Sequence, residues 1–305
     1  MCVVGVEVGE GVGSQAPADA VAHQGNLGNV HTDSALAVDE IAKAAKLLAV
    51  HKVTTNRGAK TPGVDNVKWR TDRQKLQAAI NLKRHGYRPR PLRRVYIPKP
   101  NGKLRPLSIP TLHDRAMQAL YALALAPIAE TLADRNSYGF REGRCCADAL
   151  EQCFKVLARQ TSAPWVLESD IRACFDEISH EWLLAHVPLD KAMLRAWLKA
   201  GYWEKGQLFP THAGTPQGGL ISPILSNLAL DGMEAAVKAV VGPRDKVHFI
   251  RYADDWLLMV SGTREHAQQM RGLFVRCQIP GDILFRDRGG WNDDFFSGFQ
   301  EGSGR

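Results

Sequence analysis

The sequence contains no apolar run long enough to span a bilayer. Its first residues carry no basic segment, and Glu7 and Glu10 interrupt the apolar stretch that a secretory signal would need. The six cysteines form no Cys-x-x-Cys pair and have no histidine partner at zinc spacing. These absences favour a cytoplasmic protein with reduced thiols and no membrane contact. With 45% hydrophobic residues, the 305-residue chain can bury one large core or two ordinary ones.

Acidic residues are absent from Lys83 to Arg105, a segment that holds nine lysines and arginines. Because the net charge of the whole chain is +7, the remaining residues carry a net charge of −2. A local basic field beside a more acidic body suits a polyanion. The commoner meaning of such a run is a solvated basic face. Tyr87, Tyr96 and several prolines interleave the cations, which favours nucleic acid.

Two adjacent carboxylates, Asp254 and Asp255, lie between two apolar, β-prone runs in the segment from Phe249 to Val260. Arg251 is the only other charge there. The pattern predicts a hairpin with acids at its tip. Neighbouring carboxylates in a poorly solvated place repel each other, and a divalent metal such as Mg²⁺ relieves the repulsion. Taken alone, an ordinary acidic turn is the simpler interpretation.

A further acid, Asp170, lies near the end of a predicted buried strand over residues 165–171. Strands far apart in sequence can meet on one sheet, where two carboxylate sites can hold two metals about 3.5–4 Å apart for nucleotidyl transfer. We therefore predict that Asp170, Asp254 and Asp255 are catalytic residues and metal ligands. The predicted cofactor is a pair of Mg²⁺ ions, for which Mn²⁺ can substitute.

Three segments resemble the palm motifs of reverse transcriptases, above all those of group II intron-encoded reverse transcriptase/maturases. In chain order they are DIRACFDEISH (170–180), GTPQGGLISPILSN (214–227) and YADD (252–255). The resemblance covers about residues 47–270. It implies an α+β fold of fingers and palm, with an antiparallel palm sheet packed on helices at one face.

The same resemblance implies an RNA-directed DNA polymerase, that is, a reverse transcriptase. Its partners would be an intron RNA as template, a DNA primer and deoxynucleoside triphosphates. Its location would be the nucleic-acid compartment of a bacterium or organelle.

The resemblance also implies four nucleotide-binding residues. Lys99 and Arg105, on a predicted hairpin over residues 93–110, match the positions that neutralise the phosphates of the incoming nucleotide. Phe175 matches an aromatic residue whose bulk excludes a 2′-hydroxyl, and Gln217 matches an amide at the nucleotide pocket. The residues alone leave two alternatives open: a hairpin that contacts template phosphates only, and a core position for Phe175.

Four arginines are predicted nucleic-acid contacts. Arg93 and Arg94 belong to the basic segment, and Arg141 and Arg144 lie in a polar loop over residues 136–144, where ordinary surface charge is an equal alternative. Residues 56–65, NRGAKTPGVD, resemble the N-terminal extension that precedes the fingers in group II intron enzymes. The resemblance implies template contact, whereas composition alone indicates a loop.

Periodicity and capping signals predict the remaining elements. The predicted helices cover 34–53, 71–84, 112–134 (kinked or divided at Pro127), 146–160, 181–185, 191–201, 222–240 and 263–276. A small hairpin is predicted over 207–209 and 211–213. The predicted domains are a low-order tail (1–32), an N-terminal extension with fingers (33–165), a palm (166–276) and an atypical tail (277–305).

The last segment departs from the family pattern. From Cys277 onward we find no primer-grip, thumb, maturase or Cys/His endonuclease signature, so we expect a C-terminally truncated copy in which the thumb is absent. Two alternatives belong to other classes: a non-catalytic remnant that binds intron RNA, and an inactive fragment. A retron enzyme is a lesser alternative.

Overall fold

Two four-stranded sheets and the helices around them form most of the structure. This computed structural model describes residues 27–100, 102–158, 163, 165–171, 173–240, 246–261, 265, 268 and 285–287. The chain divides into two units, residues 1–42 and 43–305. Of the first unit, the structure describes the beginning of helix α1, Leu27–Thr55. All other described elements belong to the second unit.

The described elements follow in chain order. The helices after α1 are α2 (Asp72–Asn81), α3 (Leu112–Leu132), α4 (Cys146–Leu157), α5 (Cys174–Glu177), α6 (His180–His186), α7 (Lys191–Leu198), α8 (Ser222–Leu230) and α9 (Met233–Val240). A 3₁₀ turn, Arg57–Lys60, follows α1. The strands are β1 (Leu92–Pro98), β2 (Leu104–Ile109), β3 (Trp165–Ile171), β4 (Tyr202–Glu204), β5 (Gln207–Phe209), β6 (Val247–Tyr252), β7 (Asp255–Val260) and β8 (Phe285–Asp287).

Capping side chains set the starts of two predicted helices. The Thr71 hydroxyl accepts from the Gln74 backbone N–H, and the Gln74 side chain accepts from the Thr71 backbone N–H, which is a capping box for α2. Thr111 caps α3 by accepting from the Asp114 N–H at 3.1 Å. Pro127 lies inside α3 and does not divide it.

The predicted helix over residues 222–240 is two helices. Helix α8 ends where the Asp231 N–H donates to the Asn227 carbonyl at 2.8 Å, and Gly232 follows with φ 99°. Glycine adopts this left-handed conformation without the strain of a β-carbon, so the helix stops there and α9 begins at Met233. The prediction of one continuous helix was wrong at this point.

The first sheet, sheet A, has the order β2-β1-β4-β5. Strands β1 and β2 form the predicted hairpin, with Pro98 opposite Leu104, and β1 pairs with β4 in parallel. Strand β5 pairs with β4, whereas the sequence predicted residues 211–213 as its partner. The correction follows from Lys205 and Gly206, whose φ values of 47° and 83° suit a tight hairpin turn.

The second sheet, sheet B, is antiparallel throughout, with the order β6-β7-β3-β8. Its centre confirms the predicted strand over residues 165–171 and the predicted hairpin over residues 249–260. Strand β8 was not predicted, because residues after Cys277 showed no recognisable pattern. It pairs with β3, where Asp170 lies opposite Arg286.

Sheet B is buried on both faces. On one face, Phe249, Leu258 and Leu167 join the main core with α3, α6, α7 and α8. On the other face, Ile250 and Met259 pack with Ala149 of α4. The expectation of helices on one face was therefore incomplete, because successive strand residues alternate faces and both sets are apolar here.

Some sequence predictions fall outside the described residues. Residues 1–26 of the predicted tail do so, while 27–32 begin α1. Most of the predicted helix over 263–276 and of the tail over 277–305 is also outside. The domain boundaries stay a prediction. In the part of the chain that the structure describes, no helix combines the length and the apolarity needed to cross a membrane.

Candidate active site

The turn between β6 and β7 consists of Ala253 and Asp254, and it brings two adjacent carboxylates to one end of sheet B. Ala253 has a left-handed conformation, with φ 58°, which is uncommon for a residue with a β-carbon. Asp254 is half-buried, and Asp255, the first residue of β7, is exposed. We call these residues, 253–255, the acidic turn.

Strand pairing brings Asp170 to the same end of sheet B. Asp170 lies opposite Asp255 in the register of β3 and β7, and the Ile171 N–H donates to the Asp254 carbonyl at 3.0 Å. The Cα atoms of directly opposed residues in an antiparallel pair lie about 4.5–5.5 Å apart. The three predicted acids therefore occupy neighbouring backbone positions although they come from distant parts of the sequence.

The donor chemistry of these positions fits a hard divalent cation, because carboxylate oxygens are the ligands that Mg²⁺ prefers. Among the side chains that the structure describes, no group of three His, Cys, Asp or Glu residues is close enough to hold a metal. The Asp170 side chain is outside that set. The backbone register is thus compatible with the predicted metal site, and the ligand assignment stays a prediction.

A buried arginine lies beneath the acidic turn. Arg251, on β6, is 0% exposed. Its guanidinium donates to the Asp231 carboxylate at 2.7 Å, to Asn227 Oδ1 at 3.1 Å and to the Ala253 carbonyl at 3.2 Å. Burial raises the pKa of the Asp231 carboxyl to about 6, because lost hydration outweighs the attraction of the Arg251 charge. Burial likewise lowers the pKa of Arg251.

These scaffold residues had no predicted role. Arg251 could have been found, since it is the only cation in an otherwise apolar hairpin and an arginine there must be paired if it is buried. Asp231 and Asn227 gave no comparable signal. They sit near the end of α8, and only the fold brings them to β6.

The loop that follows α3 closes against the acidic turn. A β-carbon at Gly139 would lie 2.3 Å from the Ala253 nitrogen and 2.8 Å from its Cα. Asn227 Nδ2 donates to the Gly139 carbonyl at 2.9 Å, and the Tyr138 N–H donates to the Arg251 carbonyl at 2.9 Å. The predicted loop thus supports the acidic turn. Position 139 requires glycine, because the backbone of Ala253 occupies the space of a β-carbon.

A cavity of about 370 Å³ gathers three of the four predicted nucleotide-binding residues, and its volume is in the range of small-molecule sites. Arg105, Phe175 and Gln217 line it, together with Phe140. The rings of Phe140 and Phe175 meet edge to face, with centroids 5.8 Å apart. Lys99 is not among the residues that line the cavity.

Gln217 links the two sheets at this cavity. Arg105 Nε donates to Gln217 Oε1 at 3.1 Å, and Gln217 Nε2 donates to Asp176 Oδ2 at 3.3 Å. The Ser108 N–H donates to the Gln217 carbonyl at 2.8 Å. The side chain therefore joins β2 of sheet A to α5, which follows β3 of sheet B.

Backbone hydrogen bonds hold Phe175 in place. The Thr215 N–H donates to the Phe175 carbonyl at 2.6 Å, and the Gly214 N–H donates to the Ile178 carbonyl at 2.7 Å. Gly214 has φ 81°, and a β-carbon there would lie 2.5 Å from the Phe175 carbonyl oxygen. His180 Nε2 bonds the Gly214 carbonyl at 2.8 Å, and burial lowers the pKa of this histidine.

Three other basic residues of the hairpin, those with a predicted contact, have different surroundings. Lys99 is exposed at the turn, where its backbone N–H donates to the Lys103 carbonyl at 2.7 Å. The Arg94 guanidinium lies 3.8 Å from the centroid of the Tyr202 ring. Arg93 has a buried Nε without a hydrogen-bond partner among the residues that the structure describes.

Both arginines of the polar loop have hydrogen-bond partners within the fold. The Arg141 side chain is 6% exposed and donates to the Glu130 carboxylate and to the Asp134 and Ser137 carbonyls. These internal partners argue against a phosphate contact for Arg141. Arg144 is 28% exposed and also donates to the Ser137 carbonyl, which leaves its contact a prediction.

Arg115 of α3 attaches the N-terminal loop to the cavity, and the sequence gave no signal for it. This arginine is 5% exposed and donates to the carbonyls of Gly58, at 2.9 Å, and Thr61. Burial lowers its pKa. Asn56 and Gly58 line the same cavity as the predicted nucleotide-binding residues.

Family comparison places the chain among known proteins. Residues 97–281 match the family described as reverse transcriptase (RNA-dependent DNA polymerase), and residues 22–82 match the N-terminal domain of reverse transcriptase. The first match covers more than half of the chain, and its bounds include the acidic turn, β3 and most of the cavity.

Individual relatives agree with the family match. The chain is 33% identical to protein YkfC of Escherichia coli (strain K12), over 76% of this chain and 70% of that protein. It is 37% identical to the group II intron-encoded protein LtrA of Lactococcus lactis subsp. cremoris, over 62% of this chain. The chain spans about a third of LtrA, since the match covers 33% of that protein.

A solved structure shows the same fold. Telomerase from Candida albicans, in complex with a fragment of telomeric RNA, has a TM-score of 0.50 and 15% sequence identity, over 68% of this chain and 43% of that one. At this identity the likeness concerns the fold alone.

Proposed function

Because the chain belongs to the reverse transcriptase (RNA-dependent DNA polymerase) family, we propose that it is an RNA-directed DNA polymerase of the group II intron type. Its substrates are a primed RNA template and deoxynucleoside triphosphates. One observation carries the proposal: Asp170 lies opposite Asp255 in the strand register, while the next residue, Ile171, bonds the Asp254 carbonyl.

Asp170, Asp254 and Asp255 are the proposed ligands of two divalent cations, with Mg²⁺ as the expected ion. When bound, such a pair lowers the pKa of the primer 3′-hydroxyl and compensates charge on the leaving pyrophosphate. The chain's own contribution is to hold the acids at one end of sheet B. The acidic turn and the pairing of β3 with β7 do this.

The cavity is the proposed nucleotide site. Arg105, which lines it, and Lys99, at the exposed turn of the same hairpin, compensate the charge of the triphosphate. Gln217 offers its amide to the base or sugar, and the Phe175 ring limits the space at the sugar. Arg105 already bonds Gln217, so the phosphate-binding cation and the amide are oriented together before a nucleotide arrives.

The template contacts are proposed on sheet A and on the N-terminal loop. Arg93 and Arg94 lie on β1, and residues 56–61 are tied to the cavity through Arg115. Cations on an exposed hairpin suit phosphate contacts that carry no sequence information. Arg144 is also retained as a proposed nucleic-acid contact.

Primer extension on an RNA template tests the proposal. We expect the wild-type protein to extend a DNA primer with Mg²⁺ and deoxynucleotides, and Asp254→Asn to lower the rate at least about 100-fold. The substitution keeps the shape of the side chain and removes a charged metal ligand, and metal ligation contributes several kcal/mol to the transition state. The control is Asp72→Asn, on α2, whose carboxylate is 98% exposed.

The outcomes separate the alternative functions. Extension that survives Asp254→Asn would overturn the ligand assignment. Salt-sensitive RNA binding without incorporation by the wild-type protein would favour a non-catalytic RNA-binding protein. Failure to melt cooperatively would favour an inactive fragment.

A further inference from the structure

The buried charge of Arg251, beneath the acidic turn, is costly and needs an explanation. Arg251 is 0% exposed, and taking an ion out of water costs a large desolvation free energy. A well-packed apolar residue would avoid that cost, and such replacements of buried ion pairs are often neutral or stabilising. Apart from Arg251 and the two acids, residues 249–260 carry no charge. Stability alone therefore does not explain the presence of this arginine.

What distinguishes the arginine is the acceptor that it reaches. Its guanidinium donates to the Ala253 carbonyl at 3.2 Å, which is the peptide group directly before Asp254. The peptide group directly after Asp254 is also held, because the Asp254 carbonyl accepts from the Ile171 N–H at 3.0 Å. The Asp254 backbone is thus fixed on both sides.

The acidic turn needs such support. Ala253 has φ 58°, a conformation that strains a residue with a β-carbon and that persists when its surroundings determine it. Released from its hydrogen bond, the Ala253 peptide group can rotate toward a more ordinary conformation. Such a rotation would carry the Asp254 carboxylate away from Asp255 and from β3.

The arginine is itself fixed by two anchors on α8 and just after it. The Asp231 carboxylate accepts at 2.7 Å and Asn227 Oδ1 accepts at 3.1 Å. Asn227 uses its other end to donate to the Gly139 carbonyl at 2.9 Å. A planar guanidinium can meet several acceptors at fixed angles, which a lysine ammonium cannot.

We propose that Arg251 is the positioning residue of the acidic turn, and that Asp231 and Asn227 orient it so that Asp254 and Asp255 are held ready for metal. The inference rests on the proposed function, because it assumes that these acids bind the cations. Arg251 is 0% exposed, so its effect on the reaction passes through the Ala253 carbonyl.

The decisive variant is the double substitution Arg251→Met with Asp231→Leu. It replaces the ion pair by apolar side chains, so neither charge is left buried alone, and it removes the hydrogen bonds to Ala253 and Asn227. We expect a cooperative melt at a lower temperature than that of the wild type, since each acceptor left unpaired costs about 1–3 kcal/mol. Because misplacement of a reacting group by about 1 Å can cost about 100-fold, we expect kcat to fall about 10- to 100-fold. The KM for deoxynucleotides should change little, since the cavity residues are untouched.

Two further readouts separate positioning from stability. The Mg²⁺ concentration for half-maximal extension should rise about tenfold in the double variant. Leu194→Ala, at a fully buried apolar position of α7, supplies a destabilised control that should keep the wild-type Mg²⁺ requirement below its melting temperature. Arg251→Lys should have a kcat below that of the wild type, because an ammonium group cannot donate to the same three acceptors at once.

A binding measurement makes the test independent of turnover. Mn²⁺ binding to the complex with a dideoxy-terminated primer, followed by electron paramagnetic resonance, should weaken about tenfold in the double variant. A folded double variant with wild-type kcat and Mn²⁺ affinity would overturn the inference. If the wild-type protein extends no primer, the proposed function fails. The Mn²⁺ comparison still decides the inference, which also fails if the wild type binds no Mn²⁺ that depends on Asp254.

Discussion

At the scale of single residues, the cavity shows how position decides a role that residue type leaves open. Phe175 could be an ordinary core residue, and it is 9% exposed. Yet it also lines the cavity, where its ring meets Phe140 edge to face. A largely buried side chain that lines a cavity can exclude a substrate group by its volume alone.

Phe175→Val should relax the choice between deoxynucleotides and ribonucleotides. The smaller side chain leaves room for a 2′-hydroxyl. The kcat/KM for a deoxynucleotide divided by that for the matching ribonucleotide should therefore fall about 10- to 200-fold, the range for one group in an apolar pocket. The measurement is single-nucleotide incorporation of each substrate. Phe154→Val, on the exposed side of α4, is the matched control. An unchanged ratio would return Phe175 to a purely structural role.

His180 gives a prediction for pH. Its Nε2 bonds the Gly214 carbonyl and its pKa is lowered, first by burial and then by the positive charges of Lys199 and His212. The folded protein thus binds a proton at His180 less readily than the unfolded chain, in which histidine titrates near about 6.5. The stability contributed by neutral His180 is present above that pH and is lost as pH falls toward the lower folded pKa.

We therefore expect the free energy of unfolding to fall between pH 7.5 and pH 5.5 by less in His180→Gln than in the wild-type protein. Chemical denaturation at both pH values measures the difference. His51→Gln, on α1, controls for the loss of an exposed histidine. An equal fall in the free energy of unfolding for the wild type and His180→Gln would show that this histidine does not make stability depend on pH.

At the scale of elements, the acidic turn depends on a loop that comes from another part of the chain. Gly139 approaches so closely that any β-carbon would collide with the Ala253 backbone. Gly143, in the same loop, has φ 73° and open space where its β-carbon would lie. Glycine is therefore needed at position 139 for lack of space, and at position 143 for its backbone conformation.

Gly139→Ala should displace the acidic turn and lower the primer-extension rate about 10- to 100-fold. Its stability cost should be about 1–3 kcal/mol, as for other overpacked sites. Gly143→Ala should cost a similar amount through backbone strain and leave the rate within about twofold. Thermal melts and extension assays on the same preparations provide both numbers. Loss of activity in both variants alike would mean that loop stability, and not contact with the turn, matters.

The elements also show how far the sequence could predict the fold. Hairpins and capped helices were predictable, because alternation, Thr71 and the apolar runs around Asp254 are local signals. The break at Gly232 and the partner of β5 were missed. Both depend on the backbone conformation of one or two residues, which competes with an otherwise continuous pattern. Strand β8 was missed because a three-residue strand has almost no periodicity of its own.

The site was predictable to the same extent. The resemblance implies that Lys99, Arg105, Phe175 and Gln217 share one pocket, and the last three of them line the cavity. The residues themselves predict that Asp170 lies near Asp254, and the pairing of β3 with β7 brings these positions together. The supports could not be predicted, because Asp231 and Arg115 look like surface charges until tertiary contacts bury them. Arg141 is the converse case, a charge in a polar loop whose partners lie within the fold.

At the scale of the whole molecule, the distribution of charge matters more than its sum. The basic segment from Lys83 to Arg105 carries nine cations, but the fold uses some of them internally. Arg84, for example, pairs with Asp190, near the start of α7. Arg93 and Arg94, on β1, are the proposed contacts with template phosphates.

Salt dependence of binding to a primer–template duplex tests this division of the charges. Each phosphate contact contributes about 0.9 to the slope of log K against log salt concentration, because binding releases a condensed counterion. Arg93→Gln and Arg94→Gln, at the proposed template contacts on β1, should each make the slope shallower by about that amount. Arg84→Gln removes a cation of the same segment whose charge Asp190 already compensates, so its slope should match the wild type. A loss of slope in Arg84→Gln as large as in the other two variants would mean that the whole basic segment, and not β1, contacts the nucleic acid.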